Sequence, residues 1–270
     1  MAKLRISLIQ TALHWEDKKA NLDMLQKKID SIPDKPELII LPEMFSTGFS
    51  MNNESLAETM DGETVEWMRK TAAKKGSVLT GSMIAKEETE TETLYYNRLV
   101  WMLPNGEKAF YDKRHLFAFG KEDQHYSPGN KRLIASVNGW KINLQICYDL
   151  RFPVWLRQSD TKDSQSSPEY DLLIFVANWP SVRSLAWRTL LQARAIENQC
   201  YVIGVNRTGQ DGKGLEYGGE SMVLGPLGEV IALLDAKEQI FSHTLDREKL
   251  EEVRLKFPFW HDADTFFIQP

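Results

Sequence analysis

Two runs of this chain, Glu37-Leu38-Ile39-Ile40-Leu41 and Asp171-Leu172-Leu173-Ile174-Phe175-Val176-Ala177, carry no polar residue after their opening acid. A strand with one solvated face alternates apolar and polar side chains, whereas a uniformly apolar run has to be covered on both faces. Each run therefore predicts a central strand of a sheet with a layer on either side. The two runs also look alike, which hints at two related halves.

The rest of the chain fits around them. Residues 4–10, 77–84 and 200–206 have strand patterns, and 17–32, 64–75, 184–199 and 246–256 have apolar residues at helical spacings. Gly76 stands where a C-cap belongs. In the middle, strands at 94–103 and 107–112 flank Pro104-Asn105-Gly106, and strands at 131–137 and 140–147 flank Asn138-Gly139. Both junctions are hairpin signals. Residues 220–245 hold two or three further strands. Helix-linked strands together with hairpins predict an α/β architecture of mixed sheets covered by helices. We read residues 1–270 as a single domain, with the polar stretch 159–169 as a loop insertion.

Composition narrows the function. With 42% hydrophobic and 26% charged residues among 270, the chain is an ordinary folded protein and not a disordered one. A net charge of −5 argues against nucleic-acid binding and gives no general attraction to anionic membranes. No apolar run approaches the roughly 20 residues of a membrane span. The opening residues read as a strand without a signal-peptide core, so a cytoplasmic location is expected. Two cysteines, Cys147 and Cys200, make no disulfide framework. The five histidines are scattered, and nothing has zinc-ligand spacing, so neither metal nor cofactor is expected.

Reactive groups terminate three strands. Glu43 follows the first apolar run, Lys113 follows 107–112, and Cys147 ends 140–147. Ligands of open α/β sheets sit beyond the carboxyl ends of strands, so an acid, a base and a thiol can meet there. The thiol is nucleophilic only as thiolate. Glu43 can take its proton, Lys113 can stabilise thiolate and oxyanion, and the N–H of Tyr148 can supply a second oxyanion donor. Taken singly, each residue has a plainer reading: a buried small hydrophobe, a solvated loop acid, a surface lysine. A Cys–His pair using His115 or His125 is a rival arrangement, and a noncatalytic metabolite-binding protein is another.

The segments LPEMFSTGF, YDKRHLF and CYDLRFP, in this order and spacing, resemble the three signature regions of the nitrilase superfamily of carbon–nitrogen hydrolases. The resemblance runs from IQTALHWEDKKANL through ANWP and ARAIENQCYVIGVNRTG to FPFWHDAD, nearly the whole chain. It implies a four-layer α-β-β-α sandwich with two mixed sheets, with Glu43 as general base, Lys113 as oxyanion stabiliser and Cys147 as nucleophile. It also implies a homodimer or higher homo-oligomer; the aromatic-rich tail 257–270 can contribute to that interface or equally fold back on its own sandwich. Glu122 in FGKEDQHY resembles a further glutamate of the family that orients substrate or water; its plainer reading is a solvated acid beside Lys121. Tyr148-Asp149 after the cysteine, where nitrile hydrolysers have Trp-Glu, resembles the amidase branches. YDKRHLF, CYDLRFPVW, VANWP and ARAIENQ together resemble bacterial omega-amidases, which implies small monoamides of dicarboxylic acids as substrates. Deaminated-glutathione amidase and carbamoyl-amine hydrolase remain alternatives within the superfamily.

Candidate substrate-binding residues are Tyr148, Arg151, Asn178 and Trp179. An Arg fork suits a carboxylate, but Arg151 can equally hold its loop by pairing with Asp149, Glu43 or Glu122. Trp179 can line a pocket or pack over the sheet edge. Arg183, Arg188 and Arg207 are further cations without an assignment, and Cys200 belongs to the core.

Overall fold

The computed structural model describes residues 3–158, 168–264 and 266–268. Most of the polar stretch 159–169 lies outside the described residues. The first half contains β1 (Lys3–Gln10), α1 (Lys18–Asp30), β2 (Leu38–Ile40), α2 (Asn53–Leu56), α3 (Glu63–Lys75), β3 (Val78–Glu88), β4 (Thr93–Met102) and β5 (Lys108–Asp112). There follow β6 (Ile134–Val137), β7 (Trp140–Ile146), α4 (Pro153–Leu156), β8 (Leu172–Ala177), α5 (Ser184–Asn198) and β9 (Tyr201–Asn206). The chain continues through β10 (Thr208–Gln210), β11 (Glu216–Gly218), β12 (Met222–Leu224), β13 (Val230–Leu233), β14 (Gln239–Asp246) and α6 (Arg247–Lys256).

Two six-stranded sheets form, ordered β14-β1-β2-β3-β4-β5 and β13-β12-β9-β8-β7-β6. Both apolar runs are interior strands, as their burial requirement demanded. Side chains of β2 divide between two layers: Leu38 and Ile40 join the core between the sheets, with Ile142, Leu144 and Leu172. Ile39 and Leu41 pack instead with Leu22 and Leu25 of α1 and Val65 and Met68 of α3. On the far side, Trp187, Leu191 and Ala195 of α5 join the core that contains β8 and β9. The helix lies so close that a Cβ at Gly204 would come within 2.5 Å of Leu191 and 2.6 Å of Trp187. The result is the expected helix–sheet–sheet–helix sandwich.

The hint of two related halves holds in detail. Strands β1, β2 and β3 run parallel, as do β7, β8 and β9. Each trio continues into an antiparallel pair, β4-β5 or β12-β13, and is closed on its other flank by one antiparallel strand, β14 or β6. The opening acids of the two apolar runs are also equivalent. The Glu37 N–H donates to Arg5 O and its carbonyl accepts from Val78 N–H; Asp171 repeats this with Lys141 O and Tyr201 N–H. Their carboxylates accept from Arg5 N–H at 2.7 Å and Lys141 N–H at 3.0 Å.

The expected turns follow from local chemistry. Gly76 caps α3 in the left-handed conformation, φ +66°, and its N–H reaches Ala72 O. Asn138 and Gly139 have φ +50° and +79°, the double positive φ of a two-residue hairpin whose twist matches its strands. The short hairpin β10–β11 has no counterpart among the expected elements.

The equivalent acids differ in what they hold. Asp171 also pairs with Arg247 at 3.2 Å and Arg254 at 2.9 Å, which docks α6, and it is buried. Among the described residues Glu37 pairs only with Arg5, which is half exposed. We therefore expect Asp171→Ala to cost about 3 kcal/mol, because two guanidinium groups lose a buried partner. Glu37→Ala, at a surface pair, should cost about 1 kcal/mol or less. Urea unfolding of the two variants measures both, and equal losses would contradict this ranking.

Candidate active site

The carboxyl-end loops of both sheets converge on one pocket of about 240 Å³. Its lining includes Lys113, Cys147, Tyr148, Arg151, Asn178 and Trp179. Glu43 and Glu122 lie behind this lining, fully buried.

The chain after β2 runs on along β3, with Leu41 N–H on Thr80 O and Phe45 N–H on Ser82 O. This turns Glu43 inward. Lys113 follows β5, and its N–H donates to Asn97 O on β4 at 3.0 Å, continuing the ladder one step past the strand. Immediately beside this pair, Arg98 and Asp112 are register partners joined by two hydrogen bonds of 2.6 and 2.8 Å. The bidentate ion pair lies on the other face of β4 and β5, since successive side chains alternate faces. It thereby fixes the register that presents Asn97 and Lys113 to the site.

Cys147 begins a 3-10 turn, Cys147–Arg151, directly after β7. Its φ of +44° is a left-handed conformation that non-glycine residues rarely adopt, costing about 1–3 kcal/mol unless surroundings impose it. Asp149 imposes it. One of its carboxylate oxygens accepts from Ile146 N–H at 3.1 Å and Tyr111 O–H at 2.8 Å. The other accepts from His115 N–H at 3.0 Å and contacts the His115 ring nitrogen at 2.8 Å. From the helix side, Arg194 donates twice to Leu150 O, at 3.1 and 2.8 Å. Tyr148 lies in the first turn, where backbone N–H groups lack an intrahelical acceptor.

At the centre, the Lys113 ammonium contacts Glu43 Oε1 at 3.0 Å and the two oxygens of Glu122 at 3.0 and 2.9 Å. Glu43 Oε2 accepts from Asn178 N–H at 2.7 Å, and Glu122 Oε2 from Phe117 N–H at 2.6 Å. Asn97 Nδ2 donates to both acids, at 2.8 Å to Glu43 and 3.0 Å to Glu122. Burial works against the Lys113 cation, yet Glu122 and then Glu43 hold its pKa above that of an ordinary lysine. Burial raises the Glu122 carboxyl; Lys113 opposes this and Glu43 adds to it. Burial, and next the charge of Glu43, push the Cys147 thiol well above its ordinary range, with Lys113 only partly offsetting them. The resting sulfur is therefore a thiol: Lys113 acts in the expected direction, favouring the thiolate, but burial and Glu43 outweigh it. A base has to remove the proton as sulfur attacks.

Several readings left open by the sequence now resolve. Glu122 is no solvated loop acid. Among the described residues Arg151 pairs with no carboxylate; its guanidinium lies 4.9 Å over the Trp179 ring. Asp149, offered as its partner, is taken up by Tyr111 and His115. His115 stacks on Phe152 at 3.7 Å, and neither His115 nor His125 lines the pocket. Trp179 both lines the pocket and packs at the sheet end, with Nε1–H on Arg183 O at 2.9 Å. Arg188 meets Glu220 at 3.8 Å, while buried Arg207 donates to backbone carbonyls of Leu13, Thr208 and Gln210. Cys200 is fully buried in the core.

Sequence reasoning missed Asn97, whose only signal was a polar residue inside the strand run 94–103. It also gave no role to Arg183, which lines the pocket and lies 5.3 Å over the Phe117 ring. The wall formed by Asp211, Lys213, Leu215 and Tyr217 comes from the unexpected β10–β11 hairpin. Among the described residues no cluster of three His, Cys, Asp or Glu side chains could hold a metal ion.

Known proteins share this arrangement of chain and fold. The family model described as carbon-nitrogen hydrolase matches residues 5–255. The chain is 43% identical over 267 residues to omega-amidase YafV of Escherichia coli, covering 98% of this chain and 99% of that one. It is 31% identical over 263 residues to 2-oxoglutaramate amidase of Bacillus subtilis, covering 96% and 97%. A crystal structure of a CN-hydrolase superfamily protein from Xanthomonas campestris, with an arsenic adduct in its active site, superposes with a TM-score of 0.93. That protein is 44% identical, with both chains fully covered.

The Arg98–Asp112 pair gives a direct test of how the site is framed. Asp112→Asn leaves Glu87, 2.6 Å away, as the one carboxylate paired with Arg98 among the described residues, and we expect a loss of about 2 kcal/mol in urea unfolding, because a buried charge keeps part of its compensation. An unchanged midpoint would mean that the pair does not fix the strand register.

Proposed function

Because the chain belongs to the carbon–nitrogen hydrolase family, we propose that it hydrolyses the terminal amide of small dicarboxylic acid monoamides, of the 2-oxoglutaramate and 2-oxosuccinamate type. The products are the dicarboxylic acid and ammonia. The observation that carries the substrate class is a pair of guanidinium groups in the same pocket as Cys147. Arg151 and Arg183 each stack on an aromatic ring and pair with no carboxylate among the described residues. Besides Lys113, which Glu43 and Glu122 neutralise, Lys213 adds a further cation to the lining, against one acid, Asp211. A substrate bearing a free carboxylate supplies the missing partner, and Arg binds it with planar, two-point geometry. The pocket volume is below the roughly 300–1,000 Å³ of sites for drug-sized ligands, which favours a short linear acid over a peptide such as deaminated glutathione. The names of the relatives agree with this class.

Turnover then has two halves through a covalent intermediate. Cys147 Sγ attacks the amide carbon while Glu43 takes the thiol proton. The carbonyl oxygen becomes an oxyanion facing Lys113 and the Tyr148 N–H. Glu43 returns its proton to the departing nitrogen, the C–N bond breaks, and ammonia leaves a thioester on Cys147. Glu43 next takes a proton from water as its oxygen attacks the thioester carbon, with Glu122 holding Lys113 in place; the C–S bond then breaks, Sγ takes the proton back from Glu43, and the acid departs. No metal or cofactor enters these steps. The proposal treats residues 1–270 as one cytoplasmic domain; among the described residues no helix is long and apolar enough to cross a membrane. It includes self-association, supported by Leu185 and Ile196 exposed on α5.

Ammonia release from 2-oxoglutaramate, succinamate, glutamine, an aliphatic nitrile and a carbamoyl amine tests the reading. The first two should dominate; turnover confined to the others would retire the substrate class. Arg151→Met should lower kcat/KM for 2-oxoglutaramate about 100-fold, the value of a charge-assisted carboxylate contact, and should change that for an uncharged aliphatic amide far less. Equal losses on both would assign Arg151 to the loop alone.

A further inference from the structure

Four atoms at the centre of the site form a closed ring. Lys113 Nζ lies 3.0 Å from Glu43 Oε1 and 3.0 Å from Glu122 Oε1. Asn97 Nδ2 lies 2.8 and 3.0 Å from the same two oxygens. Donors and acceptors alternate, and one corner of the ring is neutral. We propose that Asn97 is a positioning residue: it spans the two carboxylates and keeps Glu43 ionised and ready to accept the Cys147 proton.

The electrostatics make such a bridge necessary. Glu43, Glu122 and Lys113 are all buried, and two carboxylates sharing one ammonium carry a net negative charge. Like charges at one site drive one carboxyl to hold a proton. If that proton sat on Glu43, the base would be spent before sulfur attacked. A second ammonium would prevent this only at the cost of burying a further charge. The Asn97 amide supplies donors without charge, and its two N–H bonds match the two oxygens one to one. The opposite amide orientation would set Oδ1 against both carboxylates, so the ring fixes the rotamer.

Asn97 is also held where it can do this. It is fully buried, its carbonyl accepts from Lys113 N–H at 3.0 Å, and the Arg98–Asp112 pair is next to it in the ladder. Among the described residues, the ionisable groups facing Glu43 enter the same balance. Lys113 and Glu122 share the ring, Cys147 comes from the turn after β7, Tyr217 from β11, and Tyr126 from the loop beyond Glu122. Asn178 adds its backbone N–H from the end of β8.

The inference rests on Glu43 serving as the base for Cys147, and not on which amide is the natural substrate. Alkylation by iodoacetamide therefore reads it independently: the Sγ–C bond forms, iodide leaves, and the thiol proton passes to Glu43. The rate of Cys147 alkylation, followed by intact mass from pH 5 to 9, is compared for wild type, Asn97→Leu and Asn97→Ser, with ammonia release from 2-oxoglutaramate alongside. Losing hydrogen bonds to a charged group should move the acid limb of both profiles up by about one pH unit. The leucine variant should shift most and the serine variant, with one donor, less. kcat should fall while KM holds. A uniform loss of rate at every pH, with the limb unmoved, would reduce Asn97 to packing and overturn the proposal, as would a wild-type profile. If the leucine variant does not fold, the serine variant decides between these outcomes. A shifted alkylation profile without ammonia release from 2-oxoglutaramate would uphold Asn97 and reject the substrate class instead.

Discussion

An ammonium buried between two carboxylates is the constraint around which this molecule is built. Taking three charges out of water costs several kcal/mol per ion, and their attraction repays that only if the remaining donors and acceptors are matched. Lys113, Glu43 and Glu122 meet the condition with groups from separate elements: Asn97 from β4, the Asn178 N–H beyond β8 and the Phe117 N–H in the loop 113–130 that follows β5. None of these groups is near another in sequence except across that loop. The site therefore exists only once both sheets have docked, so the folding that covers the two apolar runs also assembles the chemistry.

The internal repeat explains how two sheets come to share one site. Strands β2 and β8 occupy equivalent positions, and their carboxyl ends face each other: Asn178 donates to the Glu43 backbone carbonyl at 2.7 Å as well as to its carboxylate. The halves have then specialised. The first supplies Glu43, Lys113 and Asn97. The second supplies the strained turn of Cys147 and the two arginines. At the other end of the same strands, Glu37 and Asp171 retain matching bonds, one as a surface pair and the other as the anchor of α6.

Much of this was legible in the residues because it rests on local rules. Uniform apolarity specified β2 and β8 as covered strands, Asn138-Gly139 specified a twisted two-residue hairpin, and Gly76 a left-handed cap. Reactive side chains directly after strands specified Glu43, Lys113 and Cys147. What stayed hidden depends on distance in space. Asn97 is one polar residue in the middle of a strand, and only β5 beside it and Glu43 above it give it meaning. Burial of Glu122 and the engagement of Asp149 by His115 and not by Arg151 depend on how the 113–130 loop folds, which periodicity does not describe. The β10–β11 hairpin is glycine-rich and three residues per strand, too short for alternation to register.

Glu43 carries the central claim, because in the proposed mechanism one carboxyl serves as base, acid and base again across both half-reactions. Glu43→Gln retains the size of the side chain, so circular dichroism should show a native fold, while the melting temperature should fall because the buried Lys113 loses one of its two anions. Its turnover of 2-oxoglutaramate should fall by about 10³-fold or more, the upper part of the range for general acid–base catalysis used more than once in a cycle. A correctly folded Glu43→Gln protein turning over at close to the wild-type rate would contradict the account.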